Sequence, residues 1–282
     1  MNKYVIFTDS SCDLSKADLE KRGVVSLPLS LTLDGARVDD LSPDEVYCLM
    51  RSGHIIKTSA VNPASFASAF EEWLKKGYDI LYLGLSSALS ATFNSACIAR
   101  NVLKKKYQKR SIITVDTFCA SGGVALLIDL VIDKKNDGAT VYEAADYADS
   151  IKGKISHWFT VDDLIYLKSG GRIRPSEAFF GNMLGIKPIL HVNDSGMLAL
   201  DGKVRGRKTA IITLADKVGQ ECDNKSKIYI SHADCERDAR MLAEMIKEKY
   251  GYPTRIITDI GSVIGAHSGP GTLAVFYIGE RR

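Results

Sequence analysis

Long apolar runs and closely spaced cysteines are both missing from this sequence of 282 residues. No uninterrupted apolar stretch approaches the roughly 18 residues that span a bilayer, because Asp129 interrupts the most hydrophobic segment, residues 124–132. The apolar run at residues 4–7 is far shorter than the core of a signal peptide. We therefore expect neither a membrane span nor secretion.

The spacing of the cysteines matches neither a disulfide framework nor a metal site. The six cysteines are scattered and include no C-x-x-C pair, and the five histidines show no metal-ligand spacing with them or with one another. A chain of this size without secretion features fits the reducing cytoplasm. We expect a cytoplasmic protein with free, unreactive thiols and no metal site. The cysteines are Cys12, Cys48, Cys97, Cys119, Cys222 and Cys235.

The common nucleotide and metalloprotease motifs are absent as well. The sequence has no G-x-x-x-x-G-K-[ST], no G-x-G-x-x-G after its first strand and no H-E-x-x-H, so a nucleotide or metal cofactor is disfavoured. The net charge of +3, from 37 basic and 34 acidic residues, is too small for a dedicated nucleic-acid binder. A content of 45% hydrophobic and 25% charged residues is typical of a globular protein.

The first half alternates predicted strands and helices, which indicates parallel strands joined by right-handed crossovers. Strands are predicted at residues 4–8, 80–85 and 112–115, and each ends in small polar residues. Ligands bind outside the carboxyl ends of such strands, so we expect a polar ligand there. Ser15, Ser42 and Asn62 are predicted helix caps, and a hairpin is predicted to turn at Asp34-Gly35.

The pattern changes near residue 155. Strands are predicted at 155–161, 187–192, 197–200, 227–231, 254–258 and 273–278, with a helix at 235–250. A hairpin beside helix-linked strands indicates a second α/β domain with a mixed sheet. The predicted domains are residues 1–154 and 155–282, with the ligand between them.

One segment resembles the nucleophile elbow of a hydrolase. Gly84-Leu85-Ser86-Ser87-Ala88 follows a strand, and Asp259 and His267 follow in the order of a Ser, Asp, His triad. Alanine replaces the final glycine of the motif, and more loop follows before the helix begins. These departures weaken the match to the motif. A hydrolase that uses Ser86 or Ser90 with His267 is kept as an alternative, and labelling by a fluorophosphonate probe would detect it.

A second constellation is distributed along the chain. Thr58 and Ser59 precede one predicted helix, Ser90 precedes another, and His267 lies in a predicted glycine-rich loop, residues 265–272. Free N–H groups at helix N-termini attract anions, so these hydroxyls and the histidine are candidates for holding a carboxylate or phosphate. Taken singly, each hydroxyl is better explained as a helix cap, so the case for a binding site rests on their joint occurrence.

Basic clusters occur at residues 168–174 and 203–208. A solvated surface is the simplest explanation for both clusters. The functional alternative is the docking of an anionic partner, because arginine grips phosphate through two parallel hydrogen bonds.

Several motifs together resemble those of the DegV family of fatty-acid-binding proteins. Residues 8–14 match the opening T-D-S-x-x-D-L, and residues 166–173 match Y-L-x-x-G-G-R-I. Residues 187–190, Lys-Pro-Ile-Leu, follow where expected. Residues 261–271 match G-x-V-I-G-x-H-x-G-P-G, which is the most specific element. The resemblance extends over nearly the whole chain.

The resemblance implies a two-domain α/β fold, a Rossmann-like parallel-sheet domain plus a mixed-sheet domain, that holds a long-chain fatty acid in an apolar tunnel. It implies that Thr58, Ser59, Ser90 and His267 hold the carboxylate. A separate ATP-dependent fatty acid kinase subunit would phosphorylate that carboxylate for phospholipid metabolism. The chain itself would then be a bacterial carrier with no catalytic site, no cofactor and only transient contact with membrane surfaces. Arg172 and Arg205 are the candidates for docking to the kinase.

Two motifs depart from the family pattern, at three positions, and a third functional hypothesis stays open. Ala60 and Val61 replace glutamine and proline of T-S-Q-P-S-P, and Ala91 replaces the glycine of L-S-G-T. The third reading is a carbonyl-binding subunit that uses His267 covalently, as in the dihydroxyacetone kinases. The residues that could line a tunnel or fill the core are Phe179, Phe180, Met183 and Leu184.

Overall fold

The computed structural model describes residues 3–38, 41–174, 185–223, 227–256 and 259–280. The first half comprises β1 (Tyr4–Asp9), α1 (Lys16–Lys21), β2 (Val24–Leu27), β3 (Ser30–Leu33), β4 (Ala36–Val38), α2 (Pro43–Arg51), β5 (Ile56–Ser59), α3 (Pro63–Lys75), β6 (Asp79–Gly84), α4 (Thr92–Lys106), β7 (Ile112–Asp116), α5 (Gly122–Asn136) and α6 (Val141–Ile151). The second half comprises a 3-10 turn (Lys152–Lys154), β8 (Ile155–Thr160), α7 (Ile165–Ser169), β9 (Ile186–Val192), β10 (Leu198–Arg205), α8 (Arg207–Glu221), β11 (Ile228–His232), α9 (Glu236–Tyr250), β12 (Thr254–Ile256), α10 (Ser262–Ser268) and β13 (Leu273–Ile278).

The predicted α/β class is confirmed, with parallel strands in the first half and a mixed sheet in the second. A parallel sheet has the order β2-β1-β6-β7, and a six-stranded sheet has the order β10-β9-β8-β13-β11-β12. In the larger sheet only β11 and β12 pair in parallel; the other described pairs are antiparallel. A small antiparallel sheet, β4-β3-β5, lies beside them, and it contains the hairpin predicted at Asp34-Gly35.

The predicted helix starts are confirmed by side-chain caps. The Ser15 and Ser42 hydroxyls accept from the backbone N–H groups of Asp18 and Glu45, and the Asn62 side chain accepts from Ser65 N–H. Each cap satisfies a backbone donor that the first turn of a helix leaves free. The local sequence therefore sets where these helices begin.

Helix α5 lies between the two large sheets and is the centre of the core. Its residues from Gly122 to Asp129 are buried throughout, and it packs against strands of both sheets. A helix that is apolar on every side has no solvent face, which is why it joins the two halves instead of covering one of them. Helices α3 and α4 cover the other face of the parallel sheet, while α8 and α9 cover the other face of the larger sheet.

The boundary predicted between residues 154 and 155 stays a prediction. The last strand of the parallel sheet ends at Asp116 and the first strand of the larger sheet begins at Ile155, so the boundary agrees with the strand order. However, α10 of the second half packs against α2 and β5 of the first. None of the described helices is both long and apolar enough to cross a membrane.

Candidate functional site

A cavity lies where the carboxyl ends of the parallel strands face the six-stranded sheet. The wall is predominantly apolar, and it takes side chains from both halves of the chain. The apolar lining from the six-stranded sheet is Phe159, Val192, Leu198, Ala274 and Phe276, and that from helices and loops is Leu29, Leu85, Leu89, Ala120, Leu167, Ile260, Val263 and Ile264.

The polar residues predicted to hold a ligand at the strand ends have a structural role instead. Asp9 accepts hydrogen bonds from Tyr82 Oη at 2.6 Å and from Leu85 N at 3.1 Å. Asp116 accepts from the backbone of Ser87 and Phe118, at 3.1 and 3.2 Å. A cavity does lie at the strand ends where the sequence predicts a ligand, but these carboxylates hold the loops in place while apolar neighbours line the cavity.

One end of the cavity is polar, and Thr58 and His267 meet there. Thr58 Oγ1 lies 2.7 Å from His267 Nε2, although 209 residues separate the two in sequence. Burial, together with the smaller effect of the nearby positive charge of Arg172, lowers the pKa of His267 to about 4. The imidazole is therefore neutral near pH 7, and it carries one proton that either ring nitrogen can hold.

Ser90 joins this polar end from the loop before α4. Its Oγ lies 2.9 Å from Thr92 Oγ1 and accepts a hydrogen bond from Thr92 N at 3.2 Å. Ser90 thus partly caps the helix and also lines the cavity. The capping alternative and the ligand-binding alternative are both compatible with this position, because the hydroxyl retains capacity for a further partner.

Arg172 supplies a positive charge to the same end. Its guanidinium donates to Leu89 O from Nε at 3.2 Å and from Nη2 at 3.1 Å, and Nη1 donates to Gly170 O. Within the ranges that the structure describes, no carboxylate forms an ion pair with Arg172, and burial lowers its pKa. A half-buried cation without a counterion favours an anion in the cavity.

Two of the predicted site residues lie elsewhere. Ser59 follows Thr58 in β5, and successive side chains of a strand point to opposite faces, so Ser59 is exposed and does not line the cavity. Arg205 is exposed at the end of β10 and is also outside the lining. Thr58 and Ser59 precede α3 as predicted, but the alternative that they cap this helix is wrong, because they belong to β5 and Asn62 caps α3.

His267 lies on a helix, not in the glycine-rich loop that the sequence predicts. Helix α10 continues to Ser268 because Gly265 lets the helix pack against the Tyr47 ring, where any side chain would collide. The helix ends at Gly269, whose φ of +80° favours glycine. Gly170 similarly leaves room for His267, because a Cβ at this position would collide with Nδ1 of the imidazole.

The structure does not assemble the triad of the hydrolase alternative. Ser86 Oγ donates to Gly196 O at 2.8 Å, while His267 contacts Thr58. Asp259 lies 2.9 Å from His232 Nδ1, not beside His267. Ser90 lines the cavity together with His267, but its hydroxyl contacts Thr92. No group of three or more metal-ligating side chains occurs among the residues described.

The departures from the family motifs lie outside the cavity lining. Val61 is buried, and with Ala60 it lines a neighbouring groove. Ala91 is exposed at the first turn of α4, so its methyl group does not face the cavity. The tunnel candidates Phe179, Phe180, Met183 and Leu184 lie outside the described residues.

Sequence reasoning missed the sheet residues that form the floor of the cavity. Ala274 and Phe276 alternate along β13 with residues that face the opposite side, and Thr272, just before the strand, lies on the same side as these two. His157 and Phe159 do the same along the neighbouring strand β8. The two-residue alternation is visible in the sequence, but only the pairing of the strands shows that this face is the one opposite the parallel sheet.

Comparison with known proteins gives matches over almost the whole chain. The family model described as an uncharacterised protein of the DegV family matches residues 3–280. A DegV domain-containing protein from Clostridium perfringens is 43% identical over 289 residues, covering 100% of this chain and 99% of the relative. A Thermotoga maritima protein named a fatty acid-binding protein is 33% identical over 282 residues, covering 96% of each chain.

Solved structures agree with these matches. A DegV lipid-binding protein from Thermotoga maritima superposes with a TM-score of 0.85 at 32% identity, covering 99% of both chains. A stearic acid-binding protein from Eubacterium ventriosum superposes with a TM-score of 0.88 at 26% identity, covering 98% of both chains.

Proposed function

Because the chain belongs to the DegV family, we propose that it binds a long-chain fatty acid in the cavity between its two large sheets. The observation that carries this proposal is an apolar cavity with a polar, cationic end. Each buried methylene group of an acyl chain contributes about 0.8 kcal/mol, so the apolar wall supplies most of the affinity. The named lipid and stearic acid ligands of related proteins support the same ligand class.

The carboxylate would be held by Thr58, Ser90, His267 and Arg172. A buried carboxylate needs hydrogen-bond donors to remain charged. When Nε2 of the neutral imidazole carries the proton it donates to Thr58 Oγ1, which leaves the Thr58 O–H free to donate to the ligand. Arg172, half-buried and without a carboxylate partner among the described residues, would supply the counter-charge.

A binding assay tests this proposal directly. Displacement of a fluorescent fatty acid by octadecanoic acid should occur with the wild-type protein and weaken markedly in Arg172→Ala. Arg22→Ala is the matched control, because Arg22 is paired with Asp129 away from the cavity. Absence of displacement in the wild-type protein would refute the proposal.

We further propose that the chain is a carrier, not an enzyme, and that it presents the carboxylate to a separate ATP-dependent kinase subunit. The kinase would transfer the γ-phosphoryl group of ATP to the carboxylate, giving acyl phosphate and ADP. A carrier needs no nucleotide site, in keeping with the absence of a phosphate-binding glycine motif from the sequence. This role would place the protein in the cytoplasm, with transient contact at the membrane surface during lipid exchange.

A substitution at Arg205, which is exposed, can distinguish docking to the kinase from binding of the fatty acid. We expect Arg205→Glu to reduce kinase-dependent acyl phosphate formation at least several-fold while fatty acid binding is unchanged, since Arg205 lies outside the cavity. Arg237→Glu on α9 serves as a control for the change of charge. Equal turnover in both variants and the wild-type protein would remove Arg205 from the docking surface.

A further inference from the structure

Helix α10 presents one face to the cavity, and its last residue is a serine. Val263, Ile264, His267 and Ser268 all line the cavity, as expected for positions three and four residues apart on a helix. The side chain of Ser268 is only 5% exposed. Its hydroxyl therefore has two possible sources of a hydrogen bond, the surrounding protein or the contents of the cavity.

The protein supplies no partner to this hydroxyl. Among the described residues, nothing lies within hydrogen-bond reach of Ser268 Oγ. The carbonyl of the same residue, in contrast, accepts from Thr272 Oγ1 at 2.9 Å. An unpartnered hydroxyl in an apolar wall is unfavourable, because it has lost its hydrogen bonds to water.

The other hydroxyls of the lining are all satisfied within the protein. Thr58 contacts His267, Ser90 contacts Thr92, and Ser121 Oγ donates to Asp13. Thr272 Oγ1 donates to the backbone carbonyls of Ser268 and Gly269. Among the hydroxyls of the described lining, that of Ser268 is thus distinguished by its lack of a hydrogen-bond partner within the protein.

Ser268 lies close to the polar end. It adjoins His267 in the chain, and consecutive Cα atoms are about 3.8 Å apart. It also contacts Thr272, at the end of the cavity floor away from Phe276. Phe276 follows Thr272 by four positions, which corresponds to about 13 Å at the rise of about 3.3 Å per residue of an extended chain. A ligand whose carboxylate meets His267 therefore places its first few carbon atoms beside Ser268.

We propose that Ser268 recognises an oxygen substituent near the carboxyl end of the acyl chain, so that the preferred ligands include fatty acids hydroxylated or oxidised on their first few carbons. This inference rests on the proposed function. A serine hydroxyl both donates and accepts, so it can pair with a hydroxyl or with a carbonyl oxygen. The same substituent farther along the chain would lie against apolar side chains and would be unpaired.

The test compares octadecanoic, 3-hydroxyoctadecanoic and 12-hydroxyoctadecanoic acids by fluorescence displacement, with wild-type protein and Ser268→Ala. We expect the Kd of the 3-hydroxy acid, relative to that of octadecanoic acid, to rise about tenfold in Ser268→Ala, as for loss of one buried hydrogen bond. The relative Kd of the 12-hydroxy acid should not change. The melting temperature of Ser268→Ala should equal or exceed that of the wild type.

Ile264→Val is the matched control, because Ile264 lies one helical turn before Ser268 on the same face. It should weaken octadecanoic and 3-hydroxyoctadecanoic acids by the same factor. The inference is overturned if Ser268→Ala leaves the relative Kd values unchanged, or if it weakens all three acids equally, which would make Ser268 a carboxylate ligand. Failure of octadecanoic acid itself to bind would overturn the proposed function and this inference together.

Discussion

At the scale of single residues, the site depends on side chains that face the cavity rather than on the polarity of a sequence segment. Thr58 and Ser59 are adjacent hydroxyls in the same strand, but only Thr58 contacts His267 and lines the cavity. The sequence alone does not show which of the two hydroxyls faces the cavity, because the direction of a side chain depends on the register of β5 against β3. This pair therefore provides a matched comparison.

We expect Thr58→Val to weaken fatty acid binding about 10- to 100-fold, as for the loss of a hydrogen bond to a charged group. Valine retains the shape of the side chain and its β propensity, so the melting temperature should change little. Ser59→Ala should leave binding unchanged because Ser59 is exposed on the opposite face. Equal losses of affinity in the two variants would show that the strand, not the Thr58 hydroxyl, matters for binding.

The protonation of His267 is a second property at this scale. Because burial lowers its pKa to about 4, we expect its imidazole signals in NMR spectra of the ligand-free protein to stay constant from pH 8 to about pH 5. Its contribution to stability is present above the ordinary histidine pKa of about 6.5 and is lost as the pH falls through about 4. Bound carboxylate should raise the pKa, since a negative charge favours imidazolium.

A titration midpoint near pH 6.5 in the ligand-free protein would contradict this assignment.

At the scale of elements, the close approach of α7 and α10 positions the histidine. Gly170 has φ −73° and ψ −12°, which any residue can adopt, so glycine is needed here for space and not for backbone freedom. We expect Gly170→Ala to displace His267 and to weaken fatty acid binding at least tenfold, while secondary structure measured by circular dichroism is retained. Unchanged affinity would mean that the helices separate without moving the imidazole.

Gly153→Ala is the control for this substitution. No atom lies within 4 Å of the position that a Cβ would occupy at Gly153, which is also remote from the cavity. We expect its binding and melting curves to match those of the wild-type protein.

The helices and strands that the sequence predicts correctly are those with a clear local pattern of apolar residues. Strand β13 was predicted with the bounds that the structure has, residues 273–278, because its apolar run is uninterrupted. Helix α10 was missed because Gly265, Gly269 and Gly271 are typical of a loop, and the helix instead depends on packing against α2. Helix α8 was also missed, because it begins within the basic cluster of residues 203–208 and the apolar stripe from Ala210 to Val218 follows only later.

At the scale of the whole molecule, the cavity depends on how the two halves are joined. Asp13, in the loop after β1, accepts hydrogen bonds from Ser121 Oγ and from Gly261 N, the latter at 3.0 Å. This buried carboxyl thereby links the first residues of the parallel-sheet half to α5 and to the start of α10. The sequence marks Asp13 only as part of a family motif, because its partners lie 108 and 248 residues away.

Burial raises the pKa of Asp13 to about 7. The folded state therefore retains a proton that the unfolded state loses, and stability should fall as the pH rises from about 4 to about 7. The difference in pKa corresponds to on the order of 4 kcal/mol. We expect Asp13→Asn to remove this decline and to be more stable than the wild type at pH 8, as measured by urea unfolding.

Asparagine is a suitable replacement because it tolerates the positive φ of 56° at this position and retains one acceptor oxygen. If the stability of the wild type and that of Asp13→Asn changed with pH in the same way, the raised pKa of Asp13 would be contradicted. Asp44→Asn, on the exposed first turn of α2, is the control and should leave the profile unchanged.

The most direct test of the central proposal is native mass spectrometry of the purified protein, before and after addition of octadecanoic acid, followed by extraction and identification of any lipid. We predict a one-to-one mass excess that corresponds to a long-chain fatty acid, either as purified or after the addition. Protein that carries no lipid as purified and still takes up none when octadecanoic acid is added would contradict the account.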